Sequence, residues 1–518
     1  MTENSSILWL LAIPLIASPI IYLVGRICVR RSEEGDCRAA IPARWLALAA
    51  MLFTWVPLIQ SWQEVLVNGK VRHFIGGVPV SVDGISLFLA ATALLLGTVV
   101  VIYSMPYMAG VPGEEKYYAL LPMMVGTIIG LGITNDLFNL WVWFEAMAIS
   151  SYLLVAFYTN QPGALEAGVK YLVQSAVGSV LILMGIALVF SQAQTLRLDS
   201  IAVWGATANR ITLASGALFI IGFGVKTALV PLHTWLPDAH SQAPSGISAM
   251  LSGIVIEAGL IAMLRVLGCM PGSMNIFGFL LLGFGALNML FGNLMALRQH
   301  EVKRLLAYSS LSQVGYMLLG FGVAALFQTP DAAAGGFFHL FTHAMMKGLA
   351  FLAAGILLYT LYLAHGTEGT LTVEDLNGAS KRYPLAAFGF SIALLALGGL
   401  PPLAGFMSKW QVFAGGVETH NLAVILLIVF AALNSVLSLG YYAPLVNRMY
   451  RLKPSRAVME GEPMPRLMAF PVVLLVLVVV VIGFWPSLAQ VITNPAANSL
   501  LAMFGKPAII VSMPLLFP

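Results

Sequence analysis

Long apolar runs separated by short polar segments dominate this 518-residue chain. Each run has about 20 residues, the length of a helix that crosses the hydrocarbon core of a bilayer. Transmembrane β-strands would instead alternate apolar and polar residues over about ten positions. Helices are predicted near 7–26, 44–62, 84–109, 117–134, 136–158, 168–190, 211–230, 244–268, 275–297, 305–327, 335–363, 385–411, 421–447 and 468–491. The pattern therefore predicts an all-α polytopic membrane protein with about fourteen transmembrane helices.

The composition agrees with this interpretation and excludes several classes of site. Hydrophobic residues make up 59% of the chain and charged residues 9%, whereas about a quarter of the residues in a soluble chain are charged. Cys28, Cys37 and Cys269 form neither a CxxC pair nor a Cys/His cluster, so no metal or iron–sulfur site is predicted. Because the chain also lacks a glycine-rich phosphate loop, we expect no cofactor and no catalytic centre of its own.

The lysines and arginines fall mainly in alternate loops. Seventeen of the 26 follow odd-numbered helices. Six follow even-numbered helices or lie in the tail: Lys70, Arg72, Arg197, Arg210, Arg265 and Lys506. The positive-inside rule then places the odd-numbered loops in the cytoplasm. We therefore expect a multi-pass protein of the cytoplasmic (inner) membrane with both termini outside.

A few ionisable residues lie inside the predicted spans. They are Glu145, Lys226, Glu257, His339, His343, Lys347 and Lys409. A charge at the centre of a membrane helix costs about 2.5–3.5 kcal/mol on insertion scales, so such residues are rare and usually face the bundle interior. This set is where the chemistry is expected.

Lys226 lies beside a predicted break in its helix. Pro231 has no N–H and leaves the carbonyl of Thr227 without its helical donor, and Pro237 does the same for His233. Lipid cannot satisfy such carbonyls, so the break must face protein or water. Interrupted helices near the midplane are typical of ion sites in transporters, and an amine removed from water exchanges its proton more readily.

Lys409 follows a second predicted break, at Pro401 and Pro402. Two proline-interrupted helices that each carry a lysine, one in each half of the chain, indicate an internal repeat. Two unrelated kinks are the alternative.

Glu145 has no basic neighbour three or four residues away, so its partner must come from another helix, and Lys226 is the candidate. A purely structural ion pair is the alternative here.

His339, His343 and Lys347 recur at intervals of four residues, which places them along one face of a helix. Imidazoles titrate near neutral pH, and this property suits a proton relay. A metal site is less favoured because no motif supplies a third ligand. For Glu257, in the middle of its helix, three roles stay open: relaying protons, pairing with a lysine, or binding a cation.

Several long motifs occur in order along the chain: "VDGISLF", "DLFNLWVWFE", "GVKTALVPLHTWLPDAHSQAPSGISAMLSG", "VKRLLAYSSLSQVGYMLLG", "HLFTHAMMKGLAFLAAG", "TVEDLNG" and "GLPPLAGFMSKWQVF". Over about residues 75–450 they resemble the antiporter-like subunits shared by respiratory complex I, energy-converting membrane hydrogenases and Mrp-type cation/proton antiporters. "DLFNLWVWFE" and the lysine in "GFMSKW" look closer to the Mrp and hydrogenase branch.

The resemblance implies two inverted five-helix repeats, each containing a broken helix. The expected organisation is an N-terminal three-helix segment at 1–110, a first repeat at 111–270, a second repeat at 271–450, and a C-terminal helix and tail at 451–518. The resemblance also implies that Glu145 pairs with Lys226. A relay would then run through His339, His343 and Lys347 to Lys409. Glu257 departs from the family, which usually has a lysine or histidine at that position.

The expected function is that of an ion-translocating subunit, moving protons or sodium, in a multisubunit membrane complex driven by redox chemistry or cation antiport. Such a complex is either a proton-pumping oxidoreductase or an Mrp-type antiporter. The expected partners are other membrane subunits, including further antiporter-like ones, together with the ions and the lipid bilayer, but no nucleic acid. The alternatives are a static membrane scaffold and a redox subunit without its own ion channel.

Overall fold

The computed structural model describes residues 5–31, 40–366 and 369–505, so Cys37, Arg38 and Lys506 lie outside the described residues. The helices are α1 Ser5–Arg31, α2 Ile41–Asn68, α3 Gly84–Tyr107, α4 Glu114–Ile133, α5 Leu137–Val155, α6 Pro162–Ala193, α7 Leu198–Trp204, α8 Arg210–Thr227, α9 Trp235–Gln242, α10 Ser245–Met250, α11 Ile256–Gly268, α12 Met274–Ala296, α13 Val302–Phe327, α14 Pro330–Leu361, α15 Pro384–Gly398, α16 Ala404–Val417, α17 Leu422–Arg451, α18 Arg456–Glu460, α19 Arg466–Phe484 and α20 Ser487–Met503. A π-helical turn, Leu251–Val255, joins α10 to α11. The strands β1 Val71–Ile75 and β2 Val78–Val82 form an antiparallel hairpin between α2 and α3.

Thirteen helical segments of the described chain are long and apolar enough to cross a membrane. The all-α, multi-pass membrane fold predicted from the apolar runs is therefore confirmed. One predicted span, 385–411, differs because it is divided into α15 and α16. Pro401 and Pro402 lie in the connection, where their rings cannot continue a helix. The 15-residue α15 is consequently shorter than a full span.

The bundle exposes apolar side chains and encloses polar ones. Trp45, Phe53 and Leu422 are between 59% and 71% exposed, whereas Glu257 and Lys347 are completely buried. Soluble proteins almost never bury Glu or Lys fully unless these are paired. Lipid is as apolar as a leucine side chain, so an apolar exterior costs little in a membrane. The polar interior must instead find its partners within the protein.

Residues 228–234 interrupt the helix between α8 and α9. Ala228, directly after α8, has a φ of 58°, in the left-handed region that ends a helix. Pro231 lies inside the interruption, but Pro237, predicted to break the helix as well, lies in the first turn of α9. The N–H groups of a first turn have no acceptor within the helix, so a proline there removes nothing that the helix needs.

An asparagine from α12 satisfies the backbone that this break leaves free. The Val230 N–H donates to Asn288 Oδ1 at 2.8 Å, and Asn288 Nδ2 donates to the Ala228 carbonyl at 3.3 Å. Asn288 is fully buried. One side chain thus accepts a hydrogen bond from the unwound segment and donates another to it. Lipid could have formed neither bond.

A buried ion pair holds α11 against the start of α3. Arg265 Nη2 donates to Asp83 Oδ1 at 2.6 Å and to Ser86 Oγ at 3.0 Å. Arg265 is 2% exposed and lies in the last turn of α11. The count of loop charges placed this arginine in a loop, and the structure corrects that assignment. A charge so deeply buried is tolerated only when it is paired.

Replacing Asn288 by leucine should destabilise the protein, because the Val230 N–H and the Ala228 carbonyl would lose their buried partner. Each unsatisfied group costs about 1–3 kcal/mol. Thermal unfolding of the purified chain in detergent measures the effect. Leu287→Ala, at the neighbouring lipid-facing position with 52% exposure, is the control and should leave the unfolding temperature nearly unchanged. Equal unfolding temperatures for Asn288→Leu and wild type would contradict the bridging role.

Candidate functional site

The ionisable side chains singled out from the sequence lie along the interior of the bundle. We call them the interior line: Glu145, Lys226, Glu257, His343, Lys347, His339 and Lys409. Six of them are at most 3% exposed, and Glu145 is half-buried. They come from five helices, α5, α8, α11, α14 and α16, so that tertiary packing brings them together.

The line begins at Lys226, in the last turn of α8. Its amine lies 4.3 Å from the centre of the Tyr171 ring and has no hydrogen-bond partner among the described residues. Glu145 is close enough to interact with it electrostatically, but the two groups do not reach the 4 Å of a salt bridge, and Glu145 Oε1 also lacks a partner there. The direct pair that the resemblance implies is therefore not formed in this structure, where the amine faces the aromatic ring instead.

Helix α11 packs directly against Lys226 through a glycine. A Cβ atom placed on Gly259 would lie 3.3 Å from Lys226 Cβ and 3.2 Å from Thr227 Oγ1. Real Cβ atoms seldom approach other atoms so closely. The missing side chain thus lets α11, the helix that carries Glu257, approach the lysine-bearing end of α8.

Glu257 and His343 are in direct contact at the centre of the bundle. Glu257 Oε1 lies 2.7 Å from His343 Nδ1, and both side chains are fully buried. Their remaining polar atoms, Glu257 Oε2 and His343 Nε2, have no hydrogen-bond partner in the part of the chain that the structure describes. Three roles were left open for Glu257: relaying protons, pairing with a lysine and binding a cation. In the structure its partner is a histidine and not a lysine. A carboxyl group and an imidazole at this distance can pass a proton between them.

One turn further along α14, Lys347 is held by helix α13. Its amine donates to the Leu306 carbonyl at 2.7 Å and to the Ser309 hydroxyl. Ser310, next to Ser309, hydrogen-bonds Ser252 Oγ at 2.7 Å. The serines of α13 thus place hydroxyl groups beside the buried lysine, where they connect α13 to the π-helical turn before Glu257.

Hydrogen bonds connect His339 continuously to Lys409. His339 Nε2 lies 3.1 Å from Gln313 Oε1, and Gln313 Nε2 donates to the Leu397 carbonyl at 3.1 Å. Lys409 Nζ donates to the same carbonyl at 2.8 Å. Leu397 lies in the last turn of α15, where carbonyls have no donor within their own helix. The second helix break therefore supplies a bridging acceptor between the amide and the lysine.

Sequence reasoning missed several residues of this region. Ser408 Oγ lies 3.0 Å from His339 Nδ1, and Ser435 Oγ accepts from Lys409 at 3.0 Å. The Tyr316 ring lies 4.5 Å below the same amine. Ser408 is adjacent to Lys409 in sequence, and that adjacency was an available signal. Ser435 and Tyr316 lie in other spans, and only packing reveals their role.

Lys303, counted from the sequence among the loop residues after odd-numbered helices, is in fact a buried lysine in the first turn of α13. It is 4% exposed, and its amine donates to the carbonyls of Ser241 at 3.2 Å and Ala243 at 2.5 Å. These carbonyls lie at the C-terminal end of α9, where a cation is favourable. Lys303 therefore anchors the far end of the broken helix.

This membrane bundle has two broken helices, a lysine at each break and buried ionisable side chains between them. Together these features define the class of antiporter-like membrane subunits. Residues 134–435 match the transmembrane family of NADH:quinone oxidoreductases and Mrp antiporters. The chain belongs to this family, and the resemblance stated from its motifs is confirmed.

Named relatives and a solved structure extend the match over most of the chain. The chain is 33% identical over 451 residues to F(420)H(2) dehydrogenase subunit N of Methanosarcina mazei, covering 85% of this chain and 88% of the relative. It is 30% identical over 488 residues to a Na(+)/H(+) antiporter subunit of Alkalihalophilus pseudofirmus, covering 88% and 60%. A chain of the archaeal membrane-bound sulfane sulfur reductase superposes with a TM-score of 0.82 and 28% identity, covering 96% and 98%.

Gly259→Ala should lower stability by about 1–3 kcal/mol, the usual cost of overpacking a close contact. The new methyl group would press on Lys226 and Thr227, and α11 would have to move away from α8. Thermal unfolding in detergent measures the change. Gly283→Ala on α12 is the matched control, because a Cβ there meets nothing within 4 Å. If the two variants unfolded at the same temperature, the close approach would be disproved.

Proposed function

We propose that this chain is an ion-translocating subunit of a multisubunit membrane complex and that it moves protons along the interior line. The observation that carries the proposal is the 2.7 Å contact between two fully buried titratable groups, Glu257 Oε1 and His343 Nδ1. A static scaffold has no need for completely buried histidines and lysines, which are costly in a membrane. Membership of the family supports the same function.

The proposed path has two parts. Lys226 and Glu145 form the first part, beside the interrupted helix of residues 228–234. The second part starts at the Glu257–His343 contact. From His343 it extends along α14 in both directions, to Lys347 on one side and to His339 on the other. Each lies four residues, or about 6 Å along the helix axis, from His343. Lys226, Glu257 and His343 each have a polar atom without a partner among the described residues, and these atoms mark where water would complete the connection between the parts.

What we propose about the driving reaction and the partners is based on the names of the relatives. Their names describe a dehydrogenase subunit, a sodium/proton antiporter subunit and a sulfur reductase complex. We propose that the chain likewise works beside other membrane subunits, with protons as the moving ion and sodium as the counter-ion where the complex is an antiporter. The alternating loop charges support an orientation with both termini outside.

Lys226→Ala in the assembled complex should abolish ion transport, because the first part of the path would lose its only amine. Proton movement into inverted membrane vesicles, followed with a pH-sensitive dye, measures this. The reaction of the complex, or an imposed ion gradient, supplies the driving force. Lys453→Ala, which removes an exposed lysine after α17, is the matched control and should transport normally. Normal transport by Lys226→Ala at wild-type expression would refute the proposed role.

Glu257→Gln should slow transport by about two orders of magnitude, the lower range for loss of one positioned proton-transfer group. Glutamine keeps the size of the side chain and can still hydrogen-bond His343, but it cannot carry the proton. The initial rate of proton uptake should fall while the amount of assembled complex stays constant. If both the rate and its dependence on sodium matched wild type, Glu257 would be neither a proton carrier nor a cation ligand.

A further inference from the structure

A large cavity lies on the lipid-facing side of the bundle, away from the interior line. It has a volume of about 990 Å³ and opens between α1, α4 and the connection from α5 to α6. Most of its wall is apolar and includes Leu15, Leu120, Met123 and Leu165. No residue of the interior line contributes to its walls. At the upper end of the usual size range for ligand sites, it is large enough for an extended, mostly apolar molecule.

Charged side chains lie only at one end of this groove. Arg26 Nη1 lies 3.5 Å from Glu115 Oε1, and the Arg26 side chain is 42% exposed. Glu115 is 2% exposed. Lys116 is exposed, and within the described ranges no carboxylate pairs with it. Two cations and one carboxylate give this rim a single net positive charge, which complements a monovalent anion.

The groove has the depth of one membrane leaflet. Arg26 and Leu15 are eleven residues apart on α1, which corresponds to about 16 Å. Lys116 and Met123 are separated by about 10 Å along α4. Half of the hydrocarbon core is about 15 Å thick. When the charged rim lies at the headgroup level, the apolar floor therefore lies near the bilayer midplane.

Two further features place the rim at the membrane surface. Tyr22 and Phe157 line the groove close to it, and tyrosine is typical of membrane–water interfaces. The rim is formed where α1 ends, α4 begins and α5 connects to α6. These connections follow odd-numbered spans, which the loop charges predict to be cytoplasmic, and the cytoplasmic leaflet carries negatively charged lipids.

We propose that this groove is a binding site for an anionic glycerophospholipid. One acyl chain lies between α1 and α4, and the phosphate lies against Arg26 and Lys116. Arginine donates paired hydrogen bonds to phosphate oxygens, and lysine adds a point charge. Glu115, held by Arg26, disfavours a second negative charge at the rim. A transmembrane helix of a neighbouring subunit would fill the apolar walls but would leave Lys116 without an anion.

Photolabelling of the full-length chain in its purified complex tests this site. The complex is placed in lipid nanodiscs that contain phosphatidylglycerol with a photoreactive group on one acyl chain, and labelled peptides are mapped by mass spectrometry. We expect label in the peptides that cover residues 15–26 and 112–123. The double variant Arg26→Gln/Lys116→Gln should lower this label about tenfold, because each surface cation contributes to the attraction of an anionic lipid.

One more variant tests the acyl-chain contact separately from the headgroup contact, and another serves as the control. Ala119 lines the groove and is 5% exposed, so Ala119→Trp should fill it and lower the label while both cations remain. Lys453→Gln, exposed on the same predicted face, is the control and should label like wild type. Undiminished label in the double variant, equal label from a phosphatidylcholine probe, or cross-linking of the groove to a neighbouring subunit would each overturn the proposal.

Discussion

The absence of water in the hydrocarbon core is the constraint on which the rest of this structure depends. Every backbone group that a helix break leaves free must find a partner in the protein or in enclosed water. At the first break Asn288 provides both partners for the unwound segment. At the second break the free carbonyl of Leu397 accepts from Gln313 and Lys409. The same requirement that stabilises one break thus holds the amine of Lys409 in place at the other.

The interior line holds three lysines and two carboxyl groups. Lys226, Lys347 and Lys409 would repel one another if all were protonated in an apolar bundle. Glu257 places a carboxyl group against the imidazole of His343 in the interior of the bundle. Buried ionisable pairs seldom add stability. The proton transfer that we propose for these residues gives a reason for their cost that folding does not give.

Interior and exterior of the bundle serve different chemistry. Six of the seven residues of the interior line are buried, while the proposed lipid groove opens at the outside of the bundle between α1, α4 and the connection from α5 to α6. Exposed apolar residues would be a liability in water, but they match the acyl chains of a membrane. The buried Asp83–Arg265 pair lies outside both the interior line and the proposed lipid groove, and it connects the start of α3 to the helix that carries Glu257.

Apolar runs, charge and motifs are local properties of the chain, and they were enough to predict the membrane fold, the family and most of the interior ionisable residues. They misplaced what depends on local geometry or distant contacts: Pro237 lies in the first turn of a helix, and Lys303 and Arg265 are buried. That the amine of Lys226 lies over the Tyr171 ring, and that Glu257 contacts His343 across 86 residues of sequence, became visible only in the folded chain. Such contacts follow from how helices pack, and packing brings together side chains whose separation along the chain carries no signal.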